Sequence, residues 1–342
     1  MATSTLEKDF FIEFDKEIYN DHIRNLTNFF TARIQKILRS YTFFNLFFLL
    51  LIAGEIIYFF VHLALLAQTF VMAIHLALIF ATIFCYFTLH MYVNTQKTEK
   101  LIKLKSDFKE ACKKIQHDMD EAEKHLTTAH ACCKLAAELH GLEYQIYKCW
   151  SKLGFLSVSL ERLNCWWFWG DIHFMKELLL QICVSEHIKL VRMEPTDPGA
   201  HTGLANAYVM LSGLYVDPRT IEGLDDDHWI PPAKYNESFQ AKFRAAAEKA
   251  VEEFKILSVY APHDPWVHAQ LAYSYHDLQM PMEEIREYET IMHLCPDDKE
   301  TLYKLGKLYF EQGQNAKGLE VYENLKRSNY QKGESLIHFY GA

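Results

Sequence analysis

Glu55, His62, His75 and Thr82 interrupt two otherwise apolar runs at 41–67 and 70–93. A charged carboxylate in hydrocarbon costs a few kcal/mol, so an ionisable side chain in such a run is first read as functional. With the turn at Ala67-Gln68-Thr69, His62 and His75 fall at one depth and Glu55 and Thr82 at another. Each helix separates its two residues by seven positions, which lets all four lie along one seam between the helices. A seam of that kind offers a path for a proton or a metal ion. The plainer reading is that the four side chains hydrogen-bond the helices together or join them to a second copy, since two helices alone enclose no pore.

The other reactive residue types form no recognisable site. There are 17 His and 8 Cys, yet no H-E-x-x-H, C-x-x-C, Gly-rich phosphate loop or G-x-S-x-G. Neither catalytic residues, a metal site nor a cofactor is therefore expected. Asp225-Asp226-Asp227-His228 lacks calcium-loop spacing and reads as an acidic solvated turn. The cysteines (Cys85, Cys112, Cys132, Cys133, Cys149, Cys165, Cys183, Cys295) read as reduced core residues. Trp166, Trp167 and Trp169 form an aromatic cluster, read as buried packing, with an exposed interface or membrane-surface contact as the alternative. A net charge of -9 and a pI near 6.0 argue against nucleic acid as a main partner.

The composition is that of an all-α protein in several segments. Both apolar runs exceed the roughly 20 residues that a helix needs to cross a bilayer. Their short connection makes them antiparallel neighbours with both outer ends on one face. Arg33, Lys36 and Arg39 precede the first run, and Lys97, Lys100, Lys103 and Lys105 follow the second. The expectation is a two-span integral membrane protein with N- and C-termini cytoplasmic. A cleaved signal peptide is not expected, because 40 mixed residues precede a run too long for a signal core. Residues 1–40 repeat apolar side chains at helical spacing (Phe10, Phe14, Ile18, Leu26, Phe29, Phe30, Ile34, Ile37), so they form an amphipathic segment that lies on the membrane or packs on the cytoplasmic domain. Residues 94–142 read as one long helix with a heptad seam of Cys112, Ile115, Met119, Ala122, Leu126, Ala129, Cys133 and Ala136, broken near Gly141. The seam packs within the chain or in a homodimer.

Shifted by 34 residues, the C-terminal part aligns Leu271, Ala272, Tyr275, Gln279, Tyr288 and Ile291 with Leu305, Gly306, Tyr309, Gly313, Tyr322 and Leu325. Ala250, Phe254, Leu257 and Pro262 fit the second helix of a preceding unit, and Leu204, Ala205 and Tyr208 fit its first. Between these two helices lies a 33-residue excess of loop composition, which places an insertion at about 216–237. A further unit, with Trp150-x-x-Leu153-Gly154 opening its first helix and residues 172–193 its second, would end at Pro195.

This period and the L-[AG]-x-x-Y pattern resemble the tetratricopeptide repeat (TPR) over about 143–330. The resemblance implies that 143–342 is a TPR-like α-solenoid whose inner face holds a peptide or helix of a partner protein. Its groove positions are Thr202, Asn206, Val209, Ala269, Tyr273, His276, Tyr303, Lys307 and Phe310. Asn206 stands where the chaperone-binding subclass has an Asn, but the remainder of that basic clamp is missing. The hairpin is similar, through a less specific signature, to that of chlamydial inclusion membrane proteins, which implies a secreted bacterial protein facing a host cytosol. The sequence thus points to a membrane-anchored, non-enzymatic adaptor or scaffold. The rival reading is a small transporter or channel subunit that uses the intramembrane His and Glu.

Overall fold

The computed structural model describes residues 17–63, 69–116, 119–147, 157–220, 229–231, 235–328 and 331–341. The described residues are all-α and contain no strand. They fall into two compact units, one within Glu13–Ile182 and Asp227–Pro231, the other within Cys183–Asp226 and Pro232–Ala342. The N-terminal part of the amphipathic segment, Ala67 and Gln68 of the expected turn, Trp150–Gly154 and the Asp225–His228 run lie outside the described residues.

The first unit is built on a hairpin of α1 (Glu17–Val61) and α2 (Thr69–Ile115). At 45 and 47 residues, the helices run to about 68 and 70 Å, more than twice the ~30 Å hydrocarbon thickness of a bilayer. Both are long and apolar enough to cross a membrane, and almost nothing in their apolar stretches is buried. Residues 17–40 are therefore not a separate surface helix but the lower half of α1. Ile23, Phe30, Ile34 and Leu38 recur on one face and are buried, as are Leu101, Leu104, Phe108 and Cys112 of α2. Phe30 and Phe108 meet edge to face at 5.1 Å.

The single helix expected over 94–142 is in fact two. Its first part continues α2 to Ile115, and α3 (Glu121–Glu138) then turns back onto α1 and α2. Asp120 caps α3 by accepting the Glu123 N–H at 2.6 Å. Across the gap, the Gln116 amide donates to the Lys124 carbonyl and to the Thr127 and Thr128 hydroxyls at 3.2, 2.7 and 2.9 Å. The small residues of the heptad seam serve this close intrachain packing: Ala129, Cys133 and Ala136 are buried beside Ala131, Cys132 and Leu135. Gly141 ends the turn after α3 at φ 75°, and a short α4 (Leu142–Gln145) leads to α5 (Ser157–Met193). A second difference lies in α5. The break expected before residue 172 is missing, because no proline stands within the helix and its apolar run carries through Gly170.

The second unit takes the end of α5, then α6 (Pro198–Gly213), α7 (Glu237–Tyr260), α8 (Pro265–Asp277), α9 (Pro281–Leu294), α10 (Lys299–Glu311) and α11 (Asn315–Arg327). Pairs α6/α7, α8/α9 and α10/α11 are hairpins, and α7/α8 and α9/α10 join them in series. Asp197, Asn236, Asp264 and Asp298 cap four of these helices with side-chain oxygens. One core joins Ala205 to Ala250, Phe254, Leu257, Leu271 and Tyr275; the next joins Ala272 to Tyr288, Leu305, Tyr309, Val321 and Leu325. The 34-residue spacing also appears in the backbone: Gln279 and Gly313 end α8 and α10 with φ of 57° and 70°. At Gly306 a Cβ would lie 2.7 Å from both Val321 and Leu336, so α10, α11 and the segment after them approach closely there. That segment, a 3-10 turn over Glu334–Phe339, packs on α10 and α11 and buries Leu336.

Candidate functional site

In the hairpin, the Thr82 hydroxyl donates to Glu55 Oε1 at 2.9 Å. His62 and His75 do not meet each other directly; Tyr58 lies between them, its ring centroid 4.5 Å from His62 and 5.5 Å from His75, stacked on the latter. His75 Nδ1 also lies 3.1 Å from the Val71 carbonyl. Sequence reasoning missed the other half of this seam. Asn45 Oδ1 is 3.0 Å from His90 Nδ1 and accepts the Tyr86 hydroxyl at 3.3 Å. The available signal was depth, since Asn45 and His90, like Glu55 and Thr82, are nearly equidistant from the turn. All these partners belong to the hairpin itself, so the seam ties α1 to α2 at three levels. Among the described residues no group of three or more His, Cys, Asp and Glu converges as a metal site.

In the second unit, the nine expected groove residues divide by helix. On α6, Thr202 donates to the Pro198 carbonyl at 2.9 Å, the Asn206 amide oxygen is buried without a hydrogen-bond partner, and Val209 packs on the α7/α8 core. On α8, Ala269 packs inward, while Tyr273 and His276 are exposed. The Lys304 ammonium sits 5.2 Å above the Tyr273 ring. His276 Nδ1 lies 3.2 Å from the Glu284 carboxylate, whose hydrogen bond raises the His276 pKa against the opposing effect of burial. Glu284 is buried, and its charge adds to burial in raising the pKa of Tyr288.

On α10 the expectation fails for a physical reason. Phe310 is 2% exposed, its ring lying over Gly318 of α11, where a Cβ would come within 2.6 Å. Tyr303 and Lys307 face the chain's own C-terminal segment: the Tyr303 hydroxyl is 3.1 Å from Ser335 Oγ, and the Lys307 ammonium is 5.1 Å from the Phe339 ring. Leu336 falls 34 residues after Leu302, so the segment stands where a further first helix would begin. Of the nine expected groove positions, Tyr273 and His276 of α8 are the ones that stay exposed without facing the C-terminal segment or a core, with the half-buried Lys304 beside Tyr273.

A repeated clasp, also missed, joins the two helices of the first two pairs. Pro195-Thr-Asp-Pro-Gly-Ala-His201 and Pro262-His-Asp-Pro-Trp-Val-His268 share the pattern P-x-D-P-x-x-H. In both, Asp caps the helix, Pro occupies its first turn, and His stands one turn on. His201 Nδ1 is 2.6 Å from Glu253 of α7, and Nε2 is 3.0 Å from the Pro195 carbonyl. His268 repeats this with Glu287 of α9 at 2.7 Å and the Pro262 carbonyl at 3.1 Å. In the last pair the same positions are Leu302 and Val321, two apolar residues that belong to one core. Burial opposes protonation of His201, but Glu253, the Pro195 carbonyl and Asp197 outweigh it and raise the pKa. His187 is the opposite case. Burial lowers its pKa to about 4, and its ring lies 2.7 Å from where a Gly203 Cβ would stand.

No protein-family model matches the chain, and no match is found among curated proteins.

Proposed function

We propose that this chain is a membrane-anchored adaptor of the TPR-like kind, with no chemistry of its own, holding a protein partner at the cytoplasmic face of a bilayer. The observation that carries the reading is the combination of a lipid-compatible hairpin with helix pairs on a 34-residue period whose α8 face is open. That face suits a peptide or helix carrying an acidic residue beside an apolar one. Tyr273 offers an amphipathic surface at small entropic cost, Lys304 a cation above it, and the His276–Glu284 pair a polar end. The tether concentrates the groove at the membrane, so weak recognition suffices. In this reading the polar seam holds α1 and α2 together, and the basic flanks keep both termini cytoplasmic.

The test uses the full chain in lipid nanodiscs, with a Tyr273→Ala, Lys304→Glu variant of equal helicity beside it. A protein captured from native lysate by the first and lost from the second supports the groove. Identical capture by both sinks it. Impermeant labelling of single cysteines placed before α1 and after α11 checks the topology: modification from opposite sides of the membrane rules out the two-span hairpin.

A further inference from the structure

Beside the hairpin, the first half of α5 carries an apolar face that no described residue covers. Val158, Leu163 and Trp166 are 57%, 53% and 60% exposed. At 100° per residue, all three lie within an arc of about 140°, and the exposed Arg162 falls inside the same arc. Cys165, Phe168 and Trp169 of the same turns are buried, Trp169 at the edge of that arc, so α5 is apolar here on more than its packed side.

The level of this face along the hairpin is set by three polar contacts within the same unit. Arg39, two residues before the first apolar run, donates to the Ile146 carbonyl at 2.8 Å. Asn164 of α5 donates to the Tyr144 and Tyr147 carbonyls at 3.0 and 2.7 Å, in the same stretch of chain. Lys97, four residues after the second apolar run, pairs with Asp171 of α5 at 2.9 Å, both side chains being 18% exposed. Trp166 lies between Asn164 and Asp171, within about 8 Å along α5 of Asp171, which Lys97 holds, and closer to Asn164, which holds the carbonyls on either side of the one that Arg39 binds. Phe43, Phe87, Met91 and Tyr92 are exposed at that end of the hairpin, so exposed apolar side chains of α5 and of the hairpin occur at one level.

We infer that the first half of α5 is an interfacial membrane anchor, with Val158, Leu163 and Trp166 seated among lipid headgroups and upper acyl chains and Arg162 facing lipid phosphate. The inference rests on the reading that the hairpin spans the bilayer. Tryptophan is favoured at this depth because its ring is apolar and its indole N–H remains in reach of water or headgroup oxygens. An exposed arginine within the apolar arc suits the same layer, its stem lying on the apolar side and its guanidinium on phosphate. Anchored at two hairpin helices and a third, tangential one, the cytoplasmic base of the hairpin is held against tilting about its axis.

The test places the full chain in phosphatidylcholine vesicles containing phosphatidylglycerol, with the lipids brominated either near the headgroup or near the methyl end. Emission from Trp166 is read as the difference between the native chain and Trp166→Phe. A tryptophan introduced as Phe84→Trp in the Trp166→Phe background reports the hairpin itself. The expected result is that Phe84→Trp loses emission to methyl-end bromine, while Trp166 loses it to headgroup-end bromine and resists aqueous acrylamide. If Phe84→Trp is quenched by lipid but Trp166 only by acrylamide, the hairpin spans and the α5 anchor is refuted. If neither is quenched by lipid, the spanning reading fails and the anchor falls with it.

Discussion

The His268–Glu287 clasp allows a test in which the protein itself supplies the replacement. Shifting by 34 residues turns His268 into Leu302 and Glu287 into Val321, an apolar pair that the last helix hairpin already accommodates. The side chains of His268 and Glu287 are 11% and 19% exposed, so the pair is mostly dry. Glu287→Val removes a hydrogen bond to a carboxylate, about 1.5–3 kcal/mol, and leaves an imidazole nitrogen facing valine. His268→Leu removes that bond and the one to the Pro262 carbonyl, and strands a carboxylate, so it costs at least as much. The double variant His268→Leu, Glu287→Val loses only the Pro262 bond without replacement, about 1 kcal/mol, since an apolar pair of fitting shape substitutes well for a buried polar one. Because a multi-unit chain does not unfold in one step, hydrogen exchange of the α8 and α9 amides is the suitable assay. Glu287→Val should speed it roughly tenfold to a hundredfold and the double variant by about fivefold, at 1.36 kcal/mol per factor of ten. Acceleration by the double variant equal to the product of the two single accelerations would show that His268 and Glu287 act separately and refute the clasp.

Three further outcomes concern His201, the ends of α8 and α10, and the Lys176–Glu143 pair. His201 has a raised pKa in the fold, so its contribution is complete below its unfolded value of about 6.5 and is lost as pH rises through the folded value. Protection of α6 and α7, corrected for intrinsic exchange, should therefore fall as pH rises above about 6.5, and Glu253→Gln should flatten that dependence. Gln279 holds a left-handed φ of 57° where the next repeat has Gly313 at 70°, so Gln279→Gly should stabilise the α8/α9 pair by about 1 kcal/mol and Gly313→Gln should destabilise α10/α11 by a similar amount, read by the same exchange measurement. Lys176 and Glu143 pair at 3.6 Å with side chains only 11% and 9% exposed, and burial lowers the lysine pKa against the effect of Glu143. Glu143→Ala should cost the first unit about 3 kcal/mol, seen as a lower thermal midpoint in detergent, while an unchanged midpoint would mean that Lys176 finds water.

The sequence by itself determined what depends on local pattern. Apolar run length defined the hairpin, and the equal depth of Glu55 and Thr82 about the turn anticipated their hydrogen bond. Period and punctuation located the helix pairs at Leu271 and Leu305 and the long connection between α6 and α7. These are short-range signals, because helical periodicity and the Pro and Asp residues that start helices act within a few residues of themselves. Only the tertiary structure decided where helices end when both outcomes are locally permitted. Residues 17–40 extend α1 because the face of Phe30 and Ile34 finds Phe108, and the heptad pattern after Val93 breaks at 116–120 because folding back buries Ala129 and Cys133 against the stem. It also decided which side chains meet across a distance in sequence. His201 reaches Glu253 across 52 residues, and the Lys307 ammonium meets the Phe339 ring, because packing of whole elements brings them together, and no pattern within a single turn encodes that approach.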